Sequence, residues 1–349
     1  MKAVRMYGRG DLRVEDAERP RIADDEILLA VHSGFICGTD VRMYKNGHAT
    51  AENGRGLTLG HEMAGVIAEV GRAVAGYASG MRVTVDPNIG CGVCDVCVSG
   101  NTQHCPDLRA IGIHLDGCFA EFVRVPADAV RQGNVAVIPD GVSFDEAALV
   151  EPLSCVLNAA ERCRTQPGET VLVIGAGPIG IMHGMIHRML GAGKVLVHDL
   201  NESRLERCKE IEPSFVTIGP DALDATVREL TNGRGVDVAI TAAPSGEAQT
   251  HALELLALGG RLMLFGGLPK DREVVAFNSN LIHYKELVVT GTTRQNLRQY
   301  RACLAMIEAG TISVEELITH RFELSDAQRA FSAAASGEGL KLGFSVGSD

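Results

Sequence analysis

The chain has 349 residues, 46% of them hydrophobic, only 4% aromatic and none of them tryptophan, with a formal net charge of -11. That length fits one or two domains with a sizeable core. The acidic balance excludes the basic footprint that a phosphate backbone requires, so no nucleic-acid partner is expected. The opening MKAVRMYGRGDLRVED lacks the apolar core of a secretory signal. The most apolar stretch, 171–186, is broken by glycines, Pro178 and His183, so no membrane partner is expected. Ten cysteines without an export signal fit a reducing compartment, and a cytoplasmic location is expected.

Residues 1 to about 150 read as β-rich, with short apolar runs at 27–31, 65–70 and 82–85 between Gly, Pro and Asp turn signals. The pattern then changes. Strands are predicted at 171–174, 195–198, 215–218, 236–239, 261–265 and 287–290, with helices at 179–190, 204–210 and 248–258 between several of them. Strands alternating with helices predict a parallel sheet with right-handed crossovers, and six strands suit a doubly wound dinucleotide-binding domain. Helices at 297–309 and 326–335 and an apolar segment at 340–346 close the chain. The expected class is therefore α/β, a β domain interrupted by a Rossmann domain and completed by the C-terminal return.

Within the β-rich part, Cys91, Cys94, Cys97 and Cys105 have the spacing C-x2-C-x2-C-x7-C. Four soft thiolates over so short a run fit a closed tetrahedral zinc site, which has no open position for substrate and is expected to be structural. The other cysteines, apart from Cys37, are expected as small buried hydrophobes: Cys118, Cys155, Cys163, Cys208 and Cys303.

After the strand at 171–174 come Gly175, Gly177, Pro178, Ile179 and Gly180, the pattern G-x-G-x-x-G ahead of a helix. The first glycine allows a tight turn, the second a close approach of pyrophosphate, and the third close packing of helix on strand. Asp199 ends the next strand, nineteen residues after Gly180. A carboxylate there accepts both ribose hydroxyls and repels a 2′-phosphate, which favours NAD over NADP. Arg204 either stacks near the adenine or is an ordinary helix-surface charge. Cys37 and His61 are candidate ligands of a second, open zinc site with a carboxylate as third ligand. Taken one at a time these are ordinary core and surface residues, and it is their combination with the cysteine cluster and the NAD motif that gives them weight.

The C-G-T-D around Cys37, G-H-E at Gly60, His61 and Glu62, the four-cysteine lobe, G-x-G-x-x-G and Glu151-Pro152-Leu153-Ser154 occur in the order of the zinc-dependent medium-chain dehydrogenases. The chain resembles that family over nearly its whole length. E-P-L-S and the D-L-x-x-x-R-L beginning at Asp199 resemble the sorbitol and L-iditol dehydrogenase branch. Threonine dehydrogenases share C-G-T-D, and simple alcohol dehydrogenases place a cysteine where Glu151 stands.

The resemblance implies a GroES-like β-barrel catalytic domain, over 1–151 and 293–349, that holds two zincs. It implies a Rossmann NAD-binding domain over 152–292, an active site in the cleft between the two, and a homo-oligomer, dimer or tetramer. By position, Cys37, His61 and Glu62 match ligands of the catalytic zinc, and Glu151 matches a fourth ligand or a residue that holds the metal's water. Thr39 matches the hydroxyl that relays the substrate proton. Phe265, Gly266, Gly267, Thr292, Thr293 and Arg294 match loops around the nicotinamide half of the cofactor. Lys341 either reaches the pyrophosphate or is a surface lysine. Many relatives carry a histidine where this chain has Arg42, and a guanidinium offers only donors. Either His48 or water then completes the relay, or Arg42 recognises the substrate, or it is a salt-bridge arginine.

The implied activity is hydride transfer to NAD from a secondary alcohol of a polyol or sugar-like substrate, giving a ketone. The alternatives are a threonine-type or simple alcohol dehydrogenase and, from another class, a non-catalytic NAD-binding module.

Overall fold

A computed structural model describes residues 1–347 and forms two compact units, Met1–Ser154 with Gln295–Asp349 and Cys155–Arg294. Ser348 and Asp349, at the end of the expected catalytic domain, lie outside the described residues.

The first unit is the expected β domain. Its main sheet, among the described residues, runs Val135–Val137, Arg82–Val85, Glu62–Val70, Ile27–Phe35, Lys341–Ser345 and Ile318–Phe322, with Phe122–Val125 also paired to Ile27–Phe35. The strand Ile27–Phe35 is the hub and is buried along most of its length. It runs past the expected 27–31, because Ser33, Gly34 and Phe35 pair with Ala64, Met63 and Glu62 on one side and with Ser345, Phe344 and Gly343 on the other. A polar residue and a glycine hide such a strand in a sequence, yet a ladder partner on each flank keeps it extended. The C-terminal return is fastened again by Tyr300 on the helix Leu297–Glu308, whose hydroxyl lies 2.6 Å from Thr84 Oγ1. Both residues are fully buried, so the pairing satisfies two hydroxyls inside the core.

The second unit is a six-stranded parallel sheet in the order Val216–Ile218, Lys194–His198, Thr170–Ile174, Val236–Thr241, Leu256–Leu264, Val288–Gly291. Numbered along the chain, that is the doubly wound order 3-2-1-4-5-6. The helix Pro178–Met189 starts on Gly177 directly after the first strand, and Gly175 there has φ +116°. A Cβ on Gly180 would stand 1.7 Å from the Gly175 carbonyl oxygen, so only glycine lets this helix lie so close to its strand. One predicted element differs. The helix expected over 248–258 is Gly246–Glu254, and the next strand already begins at Leu256. The Leu-Ala-Leu run fits either period, and Leu256 is taken by the sheet through its pairing with Val236.

Inside this unit, His183 and His187 lie one turn apart on Pro178–Met189, both fully buried, with ring centroids 5.9 Å apart. His187 Nδ1 is 2.7 Å from Thr165 Oγ1, whereas among the described residues neither ring nitrogen of His183 has a hydrogen-bond partner, and its ring packs edge-to-face with Phe265. Burial, with His187 adding to it, pushes His183 well below the ordinary 6.5. Burial and the Arg261 charge push His187 down to about 4. Folded rings therefore refuse protons that the unfolded chain accepts. Stability from these groups is full above pH 6.5 and falls as the pH drops toward 4, by about 3 kcal/mol for His187 once both states are protonated. Denaturant titrations from pH 7 to 4 should show this loss, and His187→Leu should flatten it. An equal slope in wild type and variant would contradict the assignment.

Candidate metal centres and dinucleotide site

Cys37 leads into the helix Gly38–Asn46, and its backbone N–H donates to Asp40 Oδ2 at 2.8 Å. The positive end of that helix faces the sulfur, which favours a negative ligand there. His61 and Glu62 stand at the start of the strand Glu62–Val70, both buried. The preceding Gly60 has φ +96°, and a Cβ there would meet the Phe119 ring at 2.6 Å and Cys118 Sγ at 2.8 Å. The backbone bends sharply at this one point, and the bend presents His61 to Cys37. One ligand atom each from Cys37, His61 and Glu62 lies within 4.8 Å of the others.

Asp40 is wholly buried, and its Oδ1 lies 3.4 Å from His61 Nδ1. Burial pulls the His61 imidazole down, but the Asp40 carboxylate and the Cys37 thiol outweigh it and raise it well above its ordinary value. Among the described residues Glu62 Oε1 is buried without a hydrogen-bond partner, and His61 Nδ1 has only its long approach to Asp40. Sulfur, imidazole and carboxylate oxygen converging with unsatisfied atoms fit a zinc ion with a position left over for a further ligand.

Glu151 is not gathered with these three. It is buried on the helix Val150–Cys163, and its charge raises Asp86 and Tyr300. Asp86 receives the backbone N–H of Asn88 at 3.0 Å and Gln295 Nε2 at 3.1 Å, and burial pushes it up to about 8. Lys341 overturns its expectation. It is neither a surface lysine nor a pyrophosphate contact, since it is buried, ion-paired with Glu62 Oε2, and 3.2 Å from the Ile36 carbonyl oxygen. Strand pairing of Lys341–Ser345 with Ile27–Phe35 carries it inside. Thr39 is half-buried on the Cys37 helix and accepts from Arg42 Nη2 at 3.0 Å.

Cys91, Cys94, Cys97 and Cys105 likewise bring their sulfurs within 4.8 Å of one another. Cys91 N–H points at Cys105 Sγ, 3.2 Å away, and Cys94 N–H at Cys91 Sγ, 3.4 Å away. The N–H groups of Val93 and Cys94 pull the Cys91 thiol down to about 7, while burial pushes Cys97 up to about 12. The chemistry of four convergent sulfurs, none in a disulfide, fits a closed zinc site. Of the cysteines expected in the core, Cys118, Cys163, Cys208 and Cys303 are buried and Cys155 is only half-buried, a correction at one position.

In the second unit, a Cβ on Gly177 would meet nothing within 4 Å, so the backbone there is open to a pyrophosphate. Asp199 closes Lys194–His198, and its carboxylate accepts from Ala176 N at 2.7 Å and Asn201 N at 2.8 Å. Asp199 and Arg204 border a cavity of about 370 Å³ together with Gly175, Leu200, Ser245 and His251. Phe265, Gly266 and Gly267 follow Leu256–Leu264, and Thr292, Thr293 and Arg294 follow its parallel neighbour Val288–Gly291. Asn158 Nδ2 donates to the Arg294 carbonyl at 2.7 Å, and Arg294 itself has φ +54°. All these loops leave the carboxyl ends of the strands, where open parallel sheets bind ligands.

Residues 23–140 match the family model of the alcohol dehydrogenase GroES-like domain, and residues 178–309 match that of the zinc-binding dehydrogenases. The chain is 34% identical to a sorbitol dehydrogenase of Bacillus subtilis (strain 168), covering 96% of this chain and 93% of that one. It is 31% identical to an L-threonine 3-dehydrogenase of Burkholderia ambifaria, covering 98% of each. A short chain alcohol dehydrogenase from Escherichia coli CFT073, so titled and solved with NADH, superposes with a TM-score of 0.88 at 28% identity over 99% of each chain. The chain belongs to the zinc-dependent medium-chain dehydrogenase family. It is a zinc-dependent alcohol or polyol dehydrogenase, and its cofactors are zinc and a nicotinamide dinucleotide.

In the sequence Asp40 stands only as the last residue of C-G-T-D, with no role of its own. Its place three residues into the Cys37 helix, where an acid caps the N-terminus, was the available signal. Lys341 carried no local signal, because its partner Glu62 is 279 residues away. Replacing Lys341 by Met strands a buried carboxylate and should destabilise the protein by about 3 kcal/mol. A chemical-denaturation midpoint equal to wild type would show that the pair carries no such weight.

Proposed function

We propose that this chain oxidises a secondary hydroxyl of a polyol or sugar-like substrate to a ketone, with NAD receiving the hydride. Cys37, His61 and Glu62 hold the catalytic zinc, and Cys91, Cys94, Cys97 and Cys105 hold the structural one. The observation that carries this reading is the meeting of three unlike ligand atoms at one point, a half-buried sulfur with a buried imidazole and a buried carboxylate. Bound zinc would supply a Lewis acid that makes the substrate hydroxyl easier to deprotonate, and a deprotonated alcohol is a far better hydride donor.

The residues of this chain do the rest. Asp40 steadies the His61 ring, Lys341 balances the Glu62 charge, and Thr39 offers a hydroxyl through which the substrate proton leaves. Gly175, Gly177, Pro178, Ile179 and Gly180 cradle the pyrophosphate, Asp199 takes the ribose hydroxyls, and Arg204 lies at the adenine. Phe265, Gly266, Gly267, Thr292, Thr293 and Arg294 bound the nicotinamide end. The sorbitol dehydrogenase among the relatives supports a polyol. The threonine dehydrogenase keeps threonine as the second substrate to test.

A cytoplasmic homo-oligomer completes the reading. The location is supported by the lack of any disulfide among the ten cysteines.

A panel of sorbitol, iditol, galactitol, inositol, threonine and ethanol with NAD, read by absorbance of NADH, tests the substrate class. Polyols should turn over fastest, and a clear preference for threonine or ethanol would overturn the polyol assignment. Cys37→Ala should lower turnover by at least a thousandfold while NAD still binds, and wild-type rates in that variant would remove Cys37 from the site. Asp199→Ser should raise the relative kcat/KM for NADP by at least tenfold, and an unchanged preference would place cofactor choice on other residues.

A further inference from the structure

Thr39 and Arg42 lie one helical turn apart, and Arg42 Nη2 donates to Thr39 Oγ1 at 3.0 Å. Among the described residues no carboxylate forms an ion pair with Arg42, so the arginine is no salt-bridge anchor. His48, the other candidate for a relay, accepts from its own loop at Thr50 N, 3.4 Å away, and meets the His114 ring edge-on at 6.2 Å. Neither contact involves Thr39.

A hydroxyl has two lone pairs and one proton. Arg42 takes one lone pair of Thr39 as a donor and has no lone pair with which to receive a proton in return. We propose that Arg42 is a positioning residue for the reaction, holding the Thr39 hydroxyl toward the reacting alcohol so that the proton leaving Thr39 goes to water instead of to a second side chain. The proposal rests on the reading of Thr39 as the hydroxyl that meets the substrate.

The step balances. The carbinol C–H bond breaks, and its hydrogen and electron pair go to NAD, giving NADH. The carbon–oxygen bond becomes a ketone, the hydroxyl proton passes to the second lone pair of Thr39, and the proton already on Thr39 passes to a water molecule. One proton is released per turnover. With no side-chain base beyond Thr39, a dissolved base should be able to take that proton.

The test uses full-length, zinc-loaded enzyme with NAD and the best polyol of the panel, comparing wild type, Thr39→Val, Arg42→Lys, Arg42→His and Arg42→Gln. Thr39→Val should lose at least tenfold in kcat/KM. Arg42→His should gain a new ionisation near about 6.5 in its kcat/KM profile, absent from wild type and from Arg42→Lys. Raising imidazole at constant ionic strength should speed wild type and Arg42→Lys, but not Arg42→His above that ionisation. In the absence of substrate, the Arg42 side-chain nitrogen resonance should shift in Thr39→Val.

A histidine variant with the wild-type profile and the wild-type response to imidazole would overturn the proposal while leaving Thr39 in place. So would an Arg42→Gln enzyme changed only in KM, which would make Arg42 a substrate contact. An unshifted Arg42 resonance would deny the hydrogen bond itself. Wild-type rates in Thr39→Val would instead overturn the underlying reading of Thr39.

Discussion

The first unit concentrates buried negative charge at one point. Asp40 and Glu62 are wholly buried, and the Cys37 sulfur stands with the Glu62 carboxylate and His61 within ligand-bonding reach. Burying such groups without compensation is strongly unfavourable. Lys341 supplies one positive charge, on the Oε2 side of Glu62. On the other side, surroundings that raise His61 well above its ordinary value amount to an attraction for a cation, and a metal ion there would take the place of a proton.

The frame around that point is built to hold it still. Cys37 and Asp40 are fixed to one helix start, and His61 and Glu62 to one strand start. A Cβ on Gly112 would stand 2.3 Å from the Gly60 carbonyl oxygen, and one on Gly117 would stand 2.2 Å from it. Backbone therefore packs directly on backbone behind His61. The loop that carries Cys118 is bonded there by Cys118 N–H to the Gly60 carbonyl at 3.0 Å. Ligand placement of this kind needs little rearrangement when the ion binds, the usual condition for an effective metal site.

Local patterns were legible wherever the physics is local. Cysteine spacing announced the sulfur cluster, and alternation of strand and helix announced the six-stranded sheet with its glycine turn. What escaped depends on distant pairing. The extension of Ile27–Phe35 through Ser33 and Gly34 exists because partners flank it on both sides. The end of Gly246–Glu254 is set by the claim of Val236 on Leu256. Lys341 read as a surface or cofactor lysine because lysine is seldom buried, and only the third dimension supplies Glu62 as the reason it is. Glu151 matched a ligand position in the sequence, but the fold brings it close to Asp86 and Tyr300 rather than into the Cys37, His61 and Glu62 group.

The central claim is that a cation, held by unlike donors, governs the chemistry of the first unit. Anomalous diffraction at the zinc absorption edge, on crystals of catalytically competent protein grown with oxidised cofactor, addresses it most directly. The account predicts a strong peak bounded by Cys37 Sγ and the His61 ring, besides the one inside the four-cysteine lobe. No density at the first position, in protein that still oxidises its alcohol at full rate, would contradict it.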